Sequence, residues 1–148
     1  MIDYEQVEIL LVDDNALDAE LAMRGLEDHK LANTVVWVKD GEQALDYVFR
    51  RGKYTERKGL GPRLILLDLK MPKIDGIEVT MALKGDPRTR HIPIVIMTSS
   101  EEESDISASY NLGVNSYIVK PLDFESLASV ASQAGFYWLA INRSPSST

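Results

Sequence analysis

The sequence contains no cysteine, which excludes disulfide bonds, thiolate metal sites and cysteine catalysis and fits a reducing compartment. It also lacks an apolar run near the roughly 20 residues that a membrane-spanning helix needs. The N-terminus has neither the basic start nor the small-residue cleavage site of a signal peptide. We therefore expect a cytoplasmic protein with no membrane segment.

Positive charge is scarce, with 16 Lys and Arg against 23 Asp and Glu and a net charge of −7. An acidic domain repels the phosphates of nucleic acids, so we expect no nucleic-acid partner. The 148 residues, 45% of them hydrophobic, suffice for one core. We expect a single domain over 1–148 with no output domain, ending in a disordered tail at 142–148.

Five short apolar runs alternate with amphipathic segments along the chain. The predicted strands are 7–12, 34–38, 64–67, 94–97 and 116–119. The predicted helices are 15–30, 40–49, 76–84, 101–112 and 123–141, with Asn15, Asp40 and Asp123 as caps. Strands that alternate with helices predict an α/β fold, a parallel sheet with helices on both faces.

Polar side chains follow four of the predicted strands. Asp13 and Asp14 come after the first strand, Asp68 after the third, Thr98 after the fourth and Lys120 after the fifth. Each residue taken singly could be a cap, a turn former or a solvated side chain. Ligands of open parallel sheets bind outside the carboxyl ends of the strands, and capping alone does not readily explain five such residues at one edge.

These residue types fit one reaction. Three close carboxylates repel one another and raise their pKa values, which a bound hard cation relieves, and oxygen ligands favour Mg²⁺. An aspartate beside Mg²⁺ is a competent nucleophile toward phosphorus. A threonine hydroxyl and a lysine ammonium can hold the oxygens of the transferred phosphoryl group. The pattern therefore predicts Mg²⁺-dependent formation of an aspartyl phosphate.

Four motifs carry a family resemblance: LLVDDN at 10–15, LILLDLKMPKIDG at 64–76, IVIMTSS at 94–100 and YIVKP at 117–121. With this order and spacing, nearly the whole chain resembles the receiver domain of two-component response regulators. The resemblance implies a flavodoxin-like, doubly wound five-stranded parallel sheet of order 2-1-3-4-5 with five helices. It also implies a phosphoacceptor signalling protein rather than an enzyme, with only self-catalysed phosphotransfer and autodephosphorylation.

The resemblance assigns the acceptor and the metal ligands. Asp68 corresponds to the phosphoacceptor. Asp14 corresponds to a direct Mg²⁺ ligand and Asp13 to one that acts through water, with the backbone carbonyl of Lys70 completing the protein ligands. Lys70 and Ser100 depart from the commonest family pattern at their positions, and their roles are left open.

The resemblance also assigns the switch. Thr98 and Lys120 would hold phosphoryl oxygens, and Thr98 with Tyr117 would form the switch that biases the α4-β5-α5 face. A cis peptide is expected at Lys120-Pro121, although such bonds are otherwise rare.

A narrower resemblance joins the basic segment 50–63 and the aromatic run Phe136-Tyr137-Trp138 to the phytochrome-associated single-domain response regulators. It implies a phytochrome-type, red-light-sensing histidine kinase as partner. The basic segment is interpreted as a solvated loop, with a partner-docking patch as the alternative.

The last predicted helix is apolar on more than one side, which favours a second partner. We expect a homodimer through the α4-β5-α5 face, and the alternative is packing against the chain's own N-terminal strand or tail. The candidate dimer residues are Phe136, Tyr137, Trp138 and Leu139.

Two other functions compete with the receiver interpretation. A phosphatase of the haloacid-dehalogenase kind needs a second Asp two residues after the nucleophile, where this chain has Lys70. A degenerate receiver that only docks would not need all five site residues, and all five are present.

Overall fold

A computed structural model describes residues 8–28, 34–59, 61–120 and 129 of the chain. The strands are β1 (Glu8–Val12), β2 (Thr34–Val38), β3 (Leu64–Leu67), β4 (Ile94–Thr98) and β5 (Ser116–Val119). The helices are α1 (Ala16–Asp28), α2 (Gly41–Phe49), α3 (Gly76–Lys84) and α4 (Glu103–Asn111), with a 3₁₀ turn at Gly52–Tyr54. The predicted fifth helix, apart from residue 129, and the predicted tail lie outside the described residues.

The five strands form one parallel sheet of order β2-β1-β3-β4-β5, which confirms the predicted fold class and strand order. Val12 at the end of β1 lies opposite Val38 on one side and Leu67 on the other. Thr98 at the end of β4 lies opposite Val119. The chain reverses its winding direction at β1 and β3, and such a switch point opens a crevice at the carboxyl ends of the strands.

Alternate side chains of the central strands build a core on each face of the sheet. β3 and β4 are buried over their whole length, as expected of parallel strands covered on both sides. One face packs against α1 through Ala19, Ala22 and Leu26. The other packs against α2 and α3 through residues that include Ala44, Val48, Val79 and Leu83. Burying one such large aliphatic side chain contributes about 1.5–3 kcal/mol, so the sheet is a firm support for its loops.

Side-chain caps fix where three of the helices begin. Asn15 Oδ1 accepts a hydrogen bond from the backbone N–H three residues on, at 3.1 Å. Asp40 and Asp75 do the same at 2.8 and 2.9 Å. Capping at Asn15 and Asp40 was predicted from the sequence. Since α1 and α3 follow β1 and β3, their caps also set the course of the loops at the carboxyl ends of those strands.

None of the helices in the described part of the chain is long and apolar enough to cross a lipid bilayer.

Candidate functional site

The parallel register brings the ends of four strands to one edge of the sheet. Asp13 follows β1, Asp68 follows β3 and Lys120 follows β5, while Thr98 is the last residue of β4. Backbone hydrogen bonds continue the ladder beyond the strands. The Asp68 N–H donates to the Val12 carbonyl at 3.0 Å, and the Lys120 N–H donates to the Thr98 carbonyl at 2.7 Å. The sheet therefore fixes the backbone from which these side chains extend.

Three carboxylates form an oxygen cluster at this edge. One oxygen each from Asp13, Asp14 and Asp68 lies within 4.8 Å of the other two. Asp13 and Asp68 are buried, with 4% and 7% of their surface exposed, whereas Asp14 is exposed. Oxygen donors that converge in this way suit a hard divalent cation, which retains water on its open side. The cluster could hold a metal ion whose remaining ligands face solvent.

The Lys120 ammonium lies among the buried carboxylates. Its Nζ is 2.8 Å from Asp13 Oδ2, 2.9 Å from Asp18 Oδ2 and 3.0 Å from Asp68 Oδ2. Only 8% of the lysine side chain is exposed. This one buried positive charge partly offsets the repulsion among the carboxylates of Asp13, Asp18 and Asp68.

Asp18 is a member of this site that sequence reasoning missed. It lies in the first turn of α1, where an acidic residue is ordinarily explained by the helix dipole. Its distance to Lys120 is 2.9 Å, so it also contacts the ion-pair cluster directly. The available signal was its place in the first turn of the helix that starts beside Asp13 and Asp14.

Burial and ion pairing act in opposite directions on the pKa values of this site. Burial raises the pKa of Asp13 to about 6, although the hydrogen bonds from Lys120 and from the Asn15 N–H lower it. Burial by itself lowers the pKa of Lys120, but hydrogen bonds to Asp13 and Asp18 and the charge of Asp68 raise it above its usual range. The lysine therefore stays charged while Asp13 holds a proton more readily than an ordinary aspartate.

The backbone around Asp13 is held from several sides. Its N–H donates to the Val38 carbonyl at 3.2 Å. Its carbonyl accepts from the Trp37 indole Nε1–H at 2.9 Å, and its Oδ1 accepts from the Asn15 N–H at 2.9 Å. The carboxylate is therefore preorganised, and an indole ring on β2 is bonded to the backbone of the acidic cluster.

Thr98 is fully buried at the end of β4. Its Oγ1 accepts a long hydrogen bond from the Ser100 N–H at 3.4 Å.

A second polar group, which we call the Asp105 network, links the site to α4. It consists of Lys70, Ser100, Asp105 and Tyr117. Lys70 Nζ lies 3.0 Å from Asp105 Oδ2, and the Ser100 hydroxyl donates to the same oxygen at 2.6 Å. The Tyr117 hydroxyl donates to the Ser100 carbonyl at 2.9 Å. The loops after β3 and β4 are thus connected to α4 and β5.

The Asp105 network accounts for the two positions that depart from the common pattern. The Lys70 ammonium pairs with Asp105, while its backbone N–H lies 3.4 Å from Asp68 Oδ1. Hydrogen bonds from Ser100 and Lys70 lower the pKa of Asp105. Burial raises the pKa of Tyr117, which keeps its hydroxyl a proton donor.

Gly76 allows α3 to start directly against the end of β3. A Cβ at this position would lie 2.4 Å from the Asp68 carbonyl oxygen and 2.7 Å from Leu69 Cα. Both are backbone atoms, so no side-chain movement could relieve the clash. The glycine is required for the close packing that supports the Asp68 loop.

Two groups of predicted residues lie outside the described part of the chain. They are Pro121, with the predicted cis bond that precedes it, and the dimer candidates Phe136, Tyr137, Trp138 and Leu139.

Comparisons with known proteins agree on one family. The model of the response regulator receiver domain matches residues 9–132. The probable methanogenesis regulatory protein FilR2 of Methanothrix harundinacea is 43% identical over 138 residues, 93% of this chain and 86% of FilR2.

Two solved structures are similar over 95% of this chain and 99% of their own chains. The phosphorylated cyanobacterial phytochrome response regulator RcpA has a TM-score of 0.89 at 38% identity. The Mn²⁺-bound form of response regulator Rcp1, a protein known from Synechocystis, has a TM-score of 0.87 at 34% identity. The predicted likeness to phytochrome response regulators is thereby confirmed.

Proposed function

The chain belongs to the response regulator receiver family, and from this premise we propose that it accepts a phosphoryl group from a histidine kinase onto Asp68. The observation that carries the proposal is the convergence of Asp13, Asp14 and Asp68 at one edge of the sheet, with the Lys120 ammonium against Asp13 and Asp68. Receiver domains are typically phosphoacceptor signalling proteins rather than enzymes, so the chain's own chemistry would be limited to phosphotransfer and autodephosphorylation.

In the proposed transfer, an Asp68 carboxylate oxygen attacks the phosphorus of a phosphohistidine. The new O–P bond forms as the P–N bond breaks, and the imidazole leaves with the electron pair and takes up a proton. Asp68 is buried at the base of the site and held against Lys120 at 3.0 Å, which limits the positions its carboxylate can adopt.

We propose Mg²⁺ as the cofactor, held by Asp13, Asp14, Asp68 and the Lys70 carbonyl. The structural basis is the all-oxygen cluster within 4.8 Å, and the Rcp1 crystal form with Mn²⁺ supports a divalent cation in this family. The chemistry that the cation supplies is neutralisation of the phosphoryl oxygens during transfer.

Lys120 and Thr98 are proposed to hold the phosphoryl oxygens. Lys120 already lies 3.0 Å from the acceptor carboxylate, so its ammonium is placed to contact a group bonded to that oxygen. The Thr98 hydroxyl has a weak protein contact, 3.4 Å from the Ser100 N–H, which it can exchange for a charged acceptor.

The proposed output is a change on the α4-β5 face, with Thr98 and Tyr117 as the switch. Movement of Thr98 toward the phosphoryl group would alter the loop that carries Ser100, on which the Tyr117 hydroxyl rests. Tyr110 and Val119 are exposed on this face by 51% and 36%, which gives a second copy or another partner an apolar contact. We propose homodimerisation as the readout.

The proposed kinase partner is of the phytochrome type. Support comes from the similarity to RcpA, a phytochrome response regulator, over nearly the full length of both chains.

The test is the intact mass of the protein after incubation with acetyl phosphate, with and without Mg²⁺. Wild type should gain one phosphoryl group only with Mg²⁺, and Asp68→Asn should gain none. Asp46→Asn, a carboxylate on α2, is the matched control and should behave as wild type. A sizing column run on the same samples tests dimerisation.

A phosphoryl adduct that persists in Asp68→Asn would overturn the assignment of the acceptor. If wild type gains no adduct, transfer from a phosphorylated bacterial phytochrome kinase is the second measurement, and failure there would reject the function.

A further inference from the structure

A cavity of about 260 Å³ lies at the opposite end of the sheet from the acidic site. It is enclosed by the end of α2 and by the segments that lead into β3 and β4. Ten described residues line it, and the charged or titratable ones are Arg50, Arg57, Arg88 and His91. We call it the arginine cavity.

The arginine cavity has one sign of charge in a protein of the other sign. Its described lining contains three arginines and no acidic side chain, although the chain as a whole carries a net charge of −7. Asp86, which is not among these lining residues, pairs with Arg88 through Nε at 3.1 Å and Nη2 at 2.8 Å. Arg88 is thus partly neutralised, and its Nη1 is not used in this pair.

Arg57 is built into the wall of the cavity. Its Nε donates to the Tyr47 carbonyl at 2.9 Å, its Nη2 lies 3.4 Å from the Val48 carbonyl, and its guanidinium stacks 4.7 Å from the Tyr47 ring centre. These contacts use backbone carbonyls near the C-terminus of α2 and hold the guanidinium in one place. The site therefore has a rigid, preorganised cation.

The remaining nitrogen of Arg57, Nη1, is buried and makes no hydrogen bond to any described residue. An unsatisfied buried donor of a charged group is costly, so structures normally supply an acceptor for it. Gly61 lies beside this guanidinium: a Cβ there would be 3.4 Å from Nη2 and 3.6 Å from Nη1, and its φ of +96° suits glycine.

Two further arginine side chains, those of Arg50 and Arg88, line the cavity. Arg50 donates to the Gly59 carbonyl through Nη2. Arg88 lies over the Phe49 ring, 5.2 Å from its centre. Toward the described residues, Arg50 Nε and Nη1 and Arg88 Nη1 make no hydrogen bond, so both side chains keep donors for an acceptor in the cavity.

We propose that the arginine cavity binds a small phosphate-bearing anion. Guanidinium groups match the oxygens of phosphate in paired hydrogen bonds, and a doubly charged anion suits several of them at once. A volume of about 260 Å³ is below the usual range for drug-sized ligands, so the fitting ligands are inorganic phosphate, pyrophosphate or a short phosphate ester. This site goes beyond the proposed function and does not involve Asp68.

The test is an NMR titration of ¹⁵N-labelled Asp68→Asn protein without Mg²⁺, so that the acidic site cannot take part. Inorganic phosphate, pyrophosphate, glycerol phosphate and acetate are added separately at constant ionic strength. Phosphate-class anions should give saturable shifts confined to residues 47–62 and 86–92, and acetate should bind more weakly. The strongest of the three phosphate ligands identifies which source of phosphate the cavity accommodates.

Arg50→Gln and Arg88→Gln should each weaken phosphate binding by about tenfold. Arg24→Gln, on the exposed surface of α1, is the control and should leave the affinity unchanged. Arg57→Lys keeps the charge but loses the paired donors and should also weaken binding. If this variant does not fold, the other two arginines still decide the result.

Shifts that grow linearly without saturation, or an equal loss in Arg24→Gln, would overturn the proposal. Acetate binding as tightly as phosphate would also overturn it and would indicate a surface for the acidic side chains of a protein.

Discussion

The two ends of the parallel sheet concentrate charges of opposite sign. At the carboxyl end, Asp13, Asp18 and Asp68 contact one buried ammonium, and a fourth carboxylate, Asp14, lies beside Asp13 and Asp68. At the amino end, the described residues that line the arginine cavity include three arginines and no acidic side chain. The net charge of −7 therefore conceals two regions of opposite charge. A parallel sheet permits this separation because all strand ends of one kind lie at one edge.

The two ends differ in burial as well as in sign. Lys120, Asp13 and Asp68 have 6–8% of their side chains exposed, and their charges are paired within the protein. Arg50 and Arg88 are exposed. Charge changes at the carboxyl end should consequently alter folding stability, whereas those at the amino end should mainly alter ligand binding.

The largest expected effect is that of Lys120→Met on stability. Removal of the ammonium leaves Asp13 and Asp68 buried without their partner, and breaking a buried ion pair in this way costs about 3–5 kcal/mol. Urea unfolding near neutral pH with a chelator present measures the change.

Lys53→Met, an exposed lysine in the 3₁₀ turn that follows α2, is the control and should change stability by less than about 0.5 kcal/mol. Equal losses in the two variants would contradict the assignment of the effect to burial of the charge.

The second effect is a pH-dependent affinity for Mg²⁺. Because burial raises the pKa of Asp13 to about 6, a proton competes with the cation at lower pH. The apparent affinity should fall about tenfold from about pH 7 to about pH 5. The Trp37 indole is hydrogen-bonded to the Asp13 carbonyl, so its fluorescence in a Trp138→Phe background can follow Mg²⁺ binding at each pH.

The raised pKa of Asp13 affects folding stability in the opposite direction from Mg²⁺ affinity. The folded pKa of Asp13 lies above its unfolded value of 3.8, so the metal-free protein should gain stability as the pH falls from about 6 toward about 4. Asp13→Asn should abolish both pH dependences. A wild-type Mg²⁺ affinity that is constant over this range would show that Asp13 does not titrate there.

The smallest effect concerns the exposed rim of the carboxyl end. The Lys70–Asp105 pair has side chains exposed by 59% and 18%, so solvent screens most of its attraction. A double-mutant cycle with Lys70→Ala and Asp105→Ala should give a coupling of about 0.5 kcal/mol, which about 1 M salt removes. If the coupling energy were as large as the stability loss in Lys120→Met, burial would not be what determines how much an ion pair contributes to stability.

Much of the fold follows from local sequence. The bounds of β2, β3, α3 and β5 agree with prediction because each apolar or amphipathic run stops at a residue that cannot continue it. β4 extends one residue further than predicted, to Thr98, since a buried hydroxyl can end a strand as well as follow one. The helix α4 begins at Glu103 rather than at residue 101, in a polar segment with a weak apolar pattern.

The residues that sequence reasoning misplaced are those defined by partners distant in the chain. Asp18 reads as an ordinary first-turn acid until Lys120, 102 positions away, is brought beside it. Arg57 belongs to a segment predicted to be a solvated loop. Four of its basic neighbours are exposed as predicted, but Arg57 itself is partly buried against α2. Charge and local spacing do not reveal such contacts.

The three contacts of Lys120 have a consequence for how the proposed phosphoryl group is received. An ammonium has three N–H bonds, and Asp13, Asp18 and Asp68 accept one each. All three N–H donors of the lysine are therefore in use, so the ammonium can bind a phosphoryl oxygen only by giving up one of these hydrogen bonds. Conversion of Asp68 to an acyl phosphate would remove the negative charge of its carboxylate and at the same time bring in the more highly charged phosphoryl group. The acceptor that gives up its hydrogen bond is thus the one that the reaction itself has neutralised, and the other two contacts can keep the lysine in place.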